Sequence, residues 1–206
     1  MDRIRPGILI RLFMIAVVTL VIGCSSAPKV KRVEVDKVVD LSGRWNDTDS
    51  RLVAQAAIDD CLNGSWLSKF KSDHLGRKPD VIVGTVLNRS HEHINVQTFT
   101  KDLERALIKS DRVYFVASRI EREDIRKERE DMAVHSSDES VKSPGQEAGA
   151  DFMLKGTLNS IVDEIKGKRV VYYQVNLELV DMISNRKVWI GEKKIKKVVT
   201  RPEHRL

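Results

Sequence analysis

The sequence predicts an α+β fold: a single domain with a mostly antiparallel sheet, a C-terminal three-stranded meander, and helices packed against one sheet face. Three observations carry this expectation. From residue 152 onward, apolar and polar residues alternate, the period of strands with one wet face. Further upstream, Val81 to Leu87 (VIVGTVL) is a continuous, largely β-branched apolar run, the pattern of a central strand covered on both faces. Around that run, 47–63 and 95–109 place apolar residues at helical spacing.

Taken in order, part of 33–41 is expected as a first strand, because Val33, Val35 and the valines after them are β-branched. In the first helix, Asn46, Asp47 or Thr48 can cap the start and Gly64 can end it. Its buried face is expected to be Leu52, Val53, Ala56, Ala57 and Cys61. The second helix should turn Phe99, Leu103, Ala106 and Leu107 inward, and Val113 to Ala117 is expected as another buried strand. Residues 119–131 are charged at 11 of 13 positions, which predicts a solvated helix supported by Glu123–Lys127 and opposed by Asp124–Glu128. A loop over 135–149 follows.

The meander is the clearest part. Phe152, Leu154, Leu158 and Val162 alternate with Lys155, Thr157, Asn159 and Asp163. Val171, Tyr173, Val175, Leu177 and Leu179 alternate with Gln174, Asn176 and Glu178, and a strand over 188–198 completes the set. Lys166-Gly167-Lys168 and Ser184-Asn185 read as the turns between them. There is no internal repeat and no second domain.

Of 206 residues, 41% are hydrophobic and 32% charged, a globular composition except at the start. The first 23 residues combine Arg3, Arg5 and Arg11 with an uncharged apolar run from Leu12 to Ile22. A spanning helix needs about 20 apolar residues, so this run suits a signal peptide. Val21-Ile22-Gly23-Cys24 resembles the lipobox of bacterial lipoproteins. The resemblance implies cleavage before Cys24, an S-diacylglycerol on its thiol and an N-palmitoyl chain on its freed amine. The alternative is an uncleaved N-terminal anchor with an incidental cysteine. Ser25, rather than aspartate, implies sorting to the outer membrane, on its periplasmic face. The organisation is therefore 1–23 signal peptide, 24–47 lipidated N-terminus and tether, 48–200 globular domain, and 201–206 tail.

The formal net charge is +6; without the three arginines and Asp2 of the leader, 33 basic and 29 acidic residues leave +4. With both signs interspersed, this does not point to nucleic acid. With Cys24 used, Cys61 has no disulfide partner; it reads as a buried small hydrophobe, or else as a reactive thiol. His91-Glu92-His93 is the one metal-like cluster: in an extended segment both histidines point one way, but no third ligand is visible, and a surface loop is the alternative. Asp59 and Asp60 are adjacent on a helix and do not face one another. Lys193, Lys194, Lys196 and Lys197 make a basic last strand, read as edge protection or as a docking surface for an acidic partner. No phosphate loop, GxSxG, CxxC or HExxH occurs. Nothing calls for an enzyme, a metal or a cofactor.

Two strings then carry a resemblance. Residues 40–50 (DLSGRWNDTDS) resemble the entry segment of the penicillin-binding protein activator lipoproteins of the LpoB type. Residues 77–94 (RKPDVIVGTVLNRSHEHI) are similar to that family's first core strand and following loop, and Gly149 to Gly156 with Val171 to Val175 fit its meander. The resemblance covers 40–198. It implies a fold related to the N-terminal domain of TolB and to the curli-secretion lipoprotein CsgG. It also implies a non-catalytic outer-membrane lipoprotein that binds and stimulates a bifunctional class A penicillin-binding protein. A structural or assembly lipoprotein of the CsgG type, working as an oligomer, is the alternative. One departure stands out: the best-known members carry a long linker. Here 25–47 spans at most about 75–80 Å extended and about 25–30 Å as a relaxed coil.

Overall fold

The computed structural model describes residues 30–35, 37–137, 139, 141, 142, 145 and 147–200. The leader, Cys24 and the 201–206 tail lie outside the described residues. Residues 1–37 form one unit and 38–206 another. Within the first, the described residues include a turn in which Lys37 N–H donates to Glu34 O (3.1 Å).

The second unit is built from α1 (Asp47–Leu62), α2 (Ser65–Asp73), β1 (Asp80–Arg89), α3 (Val96–Lys109), β2 (Tyr114–Phe115), α4 (Arg119–His135), β3 (Phe152–Ile165), β4 (Lys168–Asp181) and β5 (Lys187–Thr200). The strands form one sheet in the order β2-β1-β3-β4-β5. The α+β class holds, with one qualification. The long ladders β3–β4 and β4–β5 are antiparallel, but β1 runs parallel to both its neighbours. Parallel neighbours need long crossovers, and the chain between β1 and β3 supplies them, through α3 to β2 and through α4 to β3.

The core lies between one sheet face and the helices. Leu154, Leu158, Tyr173, Val175 and Leu177 point into it from β3 and β4, and all are essentially fully buried. Helix α3 presents Phe99, Leu103, Ala106 and Leu107, as its periodicity predicts. Helix α1 is rotated from the expected face. Its buried set is Val53, Ala54, Ala57, Ile58, Cys61 and Leu62, while Leu52 faces outward. That set continues the i, i+3/4, i+7/8, i+11/12 series that starts at Ser50. Helix α2, which the sequence reading did not include, buries Trp66, Leu67 and Phe70.

Three further expectations change. No strand forms in the described part of 33–41. The strand expected over 113–117 reduces to two edge residues; Val113 and Val116 are buried, but Tyr114 is exposed. The charged helix extends to His135 and buries none of its residues; its ion pairs among the described residues include Arg119–Glu123 and Lys127–Asp124 within the helix and Arg126–Glu147 and Glu121–Lys101 beyond it, but not the expected Glu123–Lys127. The meander turns occur where composition places them, with Gly167 (φ 79°) and Asn185 (φ 59°) in the left-handed region that these residue types tolerate. Among the described residues no helix is long and apolar enough to cross a membrane.

Candidate functional site

Residues 38–46 were expected as tether, yet they belong to the compact unit. Asn46 caps α1 in a reciprocal capping box: its side chain accepts from Asp49 N–H, and the Asp49 carboxylate accepts from Asn46 N–H, both at 3.0 Å. Before the cap, Trp45 meets Tyr173 (centroids 5.5 Å) and Phe99 (6.1 Å) edge to face. Gly43 adopts φ +68°, and a Cβ there would collide with Val199. Its carbonyl accepts from Tyr173 Oη at 3.3 Å. The entry string is therefore a docked strap across β4 and β5.

Lys197 fastens the strap. Its ammonium donates to Asp40 Oδ1 and Asp49 Oδ2, each at 2.6 Å, and to Arg44 O at 3.1 Å. Burial alone would depress the Lys197 pKa, but the hydrogen bonds to Asp40 and Asp49 outweigh it and hold Lys197 above its ordinary range. The four terminal lysines thus do not form one basic surface. Strand period two turns Lys197 inward, while Lys194 pairs with Glu192 on the opposite face.

Glu92 is the centre of the same region. Trp45 N–H donates to Oε2 (3.2 Å), Tyr173 Oη–H donates to Oε1 (2.7 Å), and Arg169 stands at 4.0 Å. The pKa of Tyr173 is driven above its usual range by burial first and then by the carboxylate, so the phenol stays a donor. The flanking histidines are exposed and separate in role. His91 N–H donates to Ser160 Oγ (3.0 Å), whose side chain also meets His91 Nδ1 (3.1 Å); among the described residues no ion pair or hydrogen bond engages the His93 side chain. Among the described residues no group of three or more His, Cys, Asp or Glu is placed to hold a metal ion.

These elements enclose a cleft of 570 Å³ at the C-terminal end of β1. Trp45 and Ile94 form part of its apolar wall, and the first turns of α1 and α3 open onto it. This site combines positions far apart in sequence. The reading of His91-Glu92-His93 found the loop but gave the leading role to the histidines; the carboxylate between them makes the deeper contacts. The other candidate residues are dispersed. Cys61 is 1% exposed and burial pushes its thiol up to about 12, which removes the reactive reading. Asp59 and Asp60 are exposed on α1, with Asp59 accepting from Gln55.

Residues 49–195 match the model of the family described as peptidoglycan-synthase activator LpoB. The chain belongs to the LpoB family. That description is of an activator, not of a catalyst. The fold is similar to the LpoB C-terminal domain of Salmonella enterica, with 14% identity over 72% of this chain and 99% of that one and a TM-score of 0.40. It is similar to the LpoB C-terminal domain of Escherichia coli, with 13% identity, coverage of 70% and 98%, and a TM-score of 0.39. It is also similar to lipoprotein GNA1162 of Neisseria meningitidis, with 15% identity, coverage of 58% and 83%, and a TM-score of 0.37. No curated protein matches the sequence. The LpoB assignment rests on the sequence match, which spans α1 to β5.

Proposed function

We propose that this chain is an outer-membrane lipoprotein that binds and stimulates a bifunctional class A penicillin-binding protein during peptidoglycan synthesis. The observation that carries this reading is the family match over 49–195. The lipobox-like string before Cys24 supports the anchor. Each buried methylene of an acyl chain contributes about 0.8 kcal/mol, so several chains hold the protein essentially permanently. The activator works by docking, with a domain whose entry strap is locked by Lys197 and Glu92.

The docked strap shortens the reach. The compact unit starts at Val38, so a tether after Cys24 comprises at most residues 25–37. Its contour is at most about 43–47 Å at 3.3–3.6 Å per residue. The synthase must therefore present its docking surface close to the anchoring membrane.

The test uses the purified, lipidated chain with each class A synthase of the host. Co-purification and a raised rate of glycan polymerisation or cross-linking are expected; absence of both with every such synthase would end this reading. In cells, Cys24→Ala should leave the domain folded but move it from the membrane to the soluble fraction. A variant that stays membrane-attached contradicts the anchor.

A further inference from the structure

We propose that the far end of the uncovered sheet face is a docking surface for an anionic phospholipid membrane. Asn159 is the last β3 residue paired with β1, and beyond it β3, β4 and β5 run on as a three-stranded ribbon. Strand period two fixes what this ribbon shows on the face away from the core. Ile161 stands opposite Tyr172, Asp163 opposite Val170, and Ile165 opposite Lys168. In the next ladder Tyr172 meets Lys196 and Val170 meets Val198. The aliphatic members are left open: Ile161 is 65% exposed, Ile165 70% and Val198 58%. Leu41 of the strap, 91% exposed, lines one hollow with Val198 and Lys196. Single exposed aliphatics are ordinary, but four gathered at one end of a sheet mark a contact surface.

Charge selects what touches it. Lys166 in the β3–β4 turn, Lys168 and Lys196 are exposed, and among the described residues no ion pair or hydrogen bond engages their side chains. Of the nearby carboxylates, Asp163 shares this face. Glu164 points to the other face, where Arg169 Nε stands at 3.9 Å, and Asp40 is held by Lys197 at 2.6 Å. Three unpaired lysines against one carboxylate leave an excess of positive charge. Lysine ammoniums around aliphatic side chains match a bilayer surface, with anionic headgroups outside and hydrocarbon beneath. The chain path brings such a surface near. It enters the compact unit at Val38, two residues before Asp40 and its bond to Lys197, so the entry lies beside this end. Residues 25–37 carry Lys29, Lys31, Arg32 and Lys37 against Glu34 and Asp36, and span about 18–22 Å as a relaxed coil. With Cys24 lipidated, that short distance gives the patch a high local concentration at the membrane, so a weak affinity suffices to hold it there. This orientation rests on the lipid-anchor reading above; the affinity of the patch for an anionic surface does not.

The test has two arms. In the first, the mature chain without its lipid (24–206, Cys24→Ala), which keeps the whole compact unit, is co-sedimented with vesicles of phosphatidylcholine alone or of equal parts phosphatidylcholine and phosphatidylglycerol. Binding to the anionic vesicles and not to the neutral ones is expected. Lys168→Gln and Lys196→Gln should each weaken it about fivefold, and Ile165→Ser about five- to tenfold. All three should leave the Tm unchanged, because these side chains are exposed. Absence of binding, equal binding to neutral vesicles, or undiminished binding by Ile165→Ser overturns the surface. Self-association that Ile165→Ser abolishes, in place of vesicle binding, assigns the patch to a second copy and overturns it too. In the second arm, the lipidated chain purified from cells is seated in the anionic vesicles with an environment-sensitive dye on Lys166→Cys, or on Lys187→Cys at the other end of the β4–β5 ladder. Cys61 is buried and does not compete for the dye. A blue shift at 166 and none at 187 is expected. Vesicle attachment without a shift at 166 sinks this inference alone. A chain from cells that stays off neutral vesicles while the first arm holds sinks the anchor reading alone.

Discussion

The two ends of the sheet are built on opposite terms. At the N-terminal ends of β1 and β3, donors and acceptors are matched. Arg77 reaches Asp80 and Asp151 at 2.7 Å each, and Asp151 accepts from Asp80 N–H at 2.7 Å. Asp151 N–H donates to Asp80 O (2.8 Å), and the Arg77 guanidinium stacks 5.0 Å over Phe70. At the opposite end, Glu92 is taken up by Trp45 and Tyr173 and Arg169 stands within 4.0 Å of Glu92 and Glu164, but the buried Ser50 hydroxyl has no hydrogen-bond partner among the described residues. A rim that satisfies its own polar groups holds the fold together and has nothing left to offer a ligand. The difference separates an end whose polar groups are all matched from one that keeps a buried hydroxyl unmatched.

The largest effect expected from breaking this comparison is Glu92→Ala. It strips the acceptor from Trp45 N–H and the nearer of the two acceptors of the buried Tyr173 hydroxyl, leaving that hydroxyl only Gly43 O at 3.3 Å, at about 2–4 kcal/mol. Urea unfolding followed by tryptophan fluorescence measures it, and a loss under about 1 kcal/mol would deny Glu92 its structural place. Asp151→Ala comes next, at about 1–3 kcal/mol, because it removes one Arg77 contact and the acceptor for Asp80 N–H. The same denaturation series reads it.

Ser50→Ala sharpens the contrast by its small size. Removing a buried hydroxyl that has no partner should change the stability of the unliganded chain by less than about 0.5 kcal/mol, or raise it. A loss near that of Asp151→Ala would show that the Ser50 hydroxyl holds this end together after all. The smallest effect lies away from both ends, at the start of α4, where the Ser118 side chain accepts from Glu121 N–H and the Glu121 carboxylate accepts from Ser118 N–H. Hydrogen bonds from Lys101 first, then Ser118, lower the Glu121 pKa to about 2. A depressed carboxylate pKa contributes stability above the unfolded value, lost as pH falls through the folded one. Fraying of α4 should therefore develop between about pH 4.5 and 2, with NMR of the Glu121 carboxyl titrating near 2.

Much of the scaffold was legible because its signals are local. The meander alternates residue by residue, so β3, β4 and their turns follow from period two and from Gly167 and Asn185. Helix α3 shows its buried face in Phe99, Leu103 and Leu107. Helix α1 was placed but misoriented, because Leu52 is as apolar as its neighbours and only the sheet decides which stripe is covered. Helix α2 went unread although Trp66, Leu67 and Phe70 carry helical spacing; nine residues between Gly64 and the Lys78-Pro79 break offer little periodicity. The valines of 33–41 suggested a strand, but β-propensity produces one only where a partner ladder exists.

The sequence by itself determined the lipobox-like leader, the α+β class, the apolar run of β1 and the pairing of the meander, since each depends on residues a few positions apart. Only the tertiary structure decided that 38–46 is a docked strap and not free tether, and that Lys197 faces inward to Asp40 and Asp49. It alone joined Trp45, Glu92 and Tyr173, whose contacts span 47 and 81 residues of chain. The reason is physical. Hydrophobic periodicity reports which face of an element is buried, whereas a polar network depends on the distances between elements, which are set only when they pack.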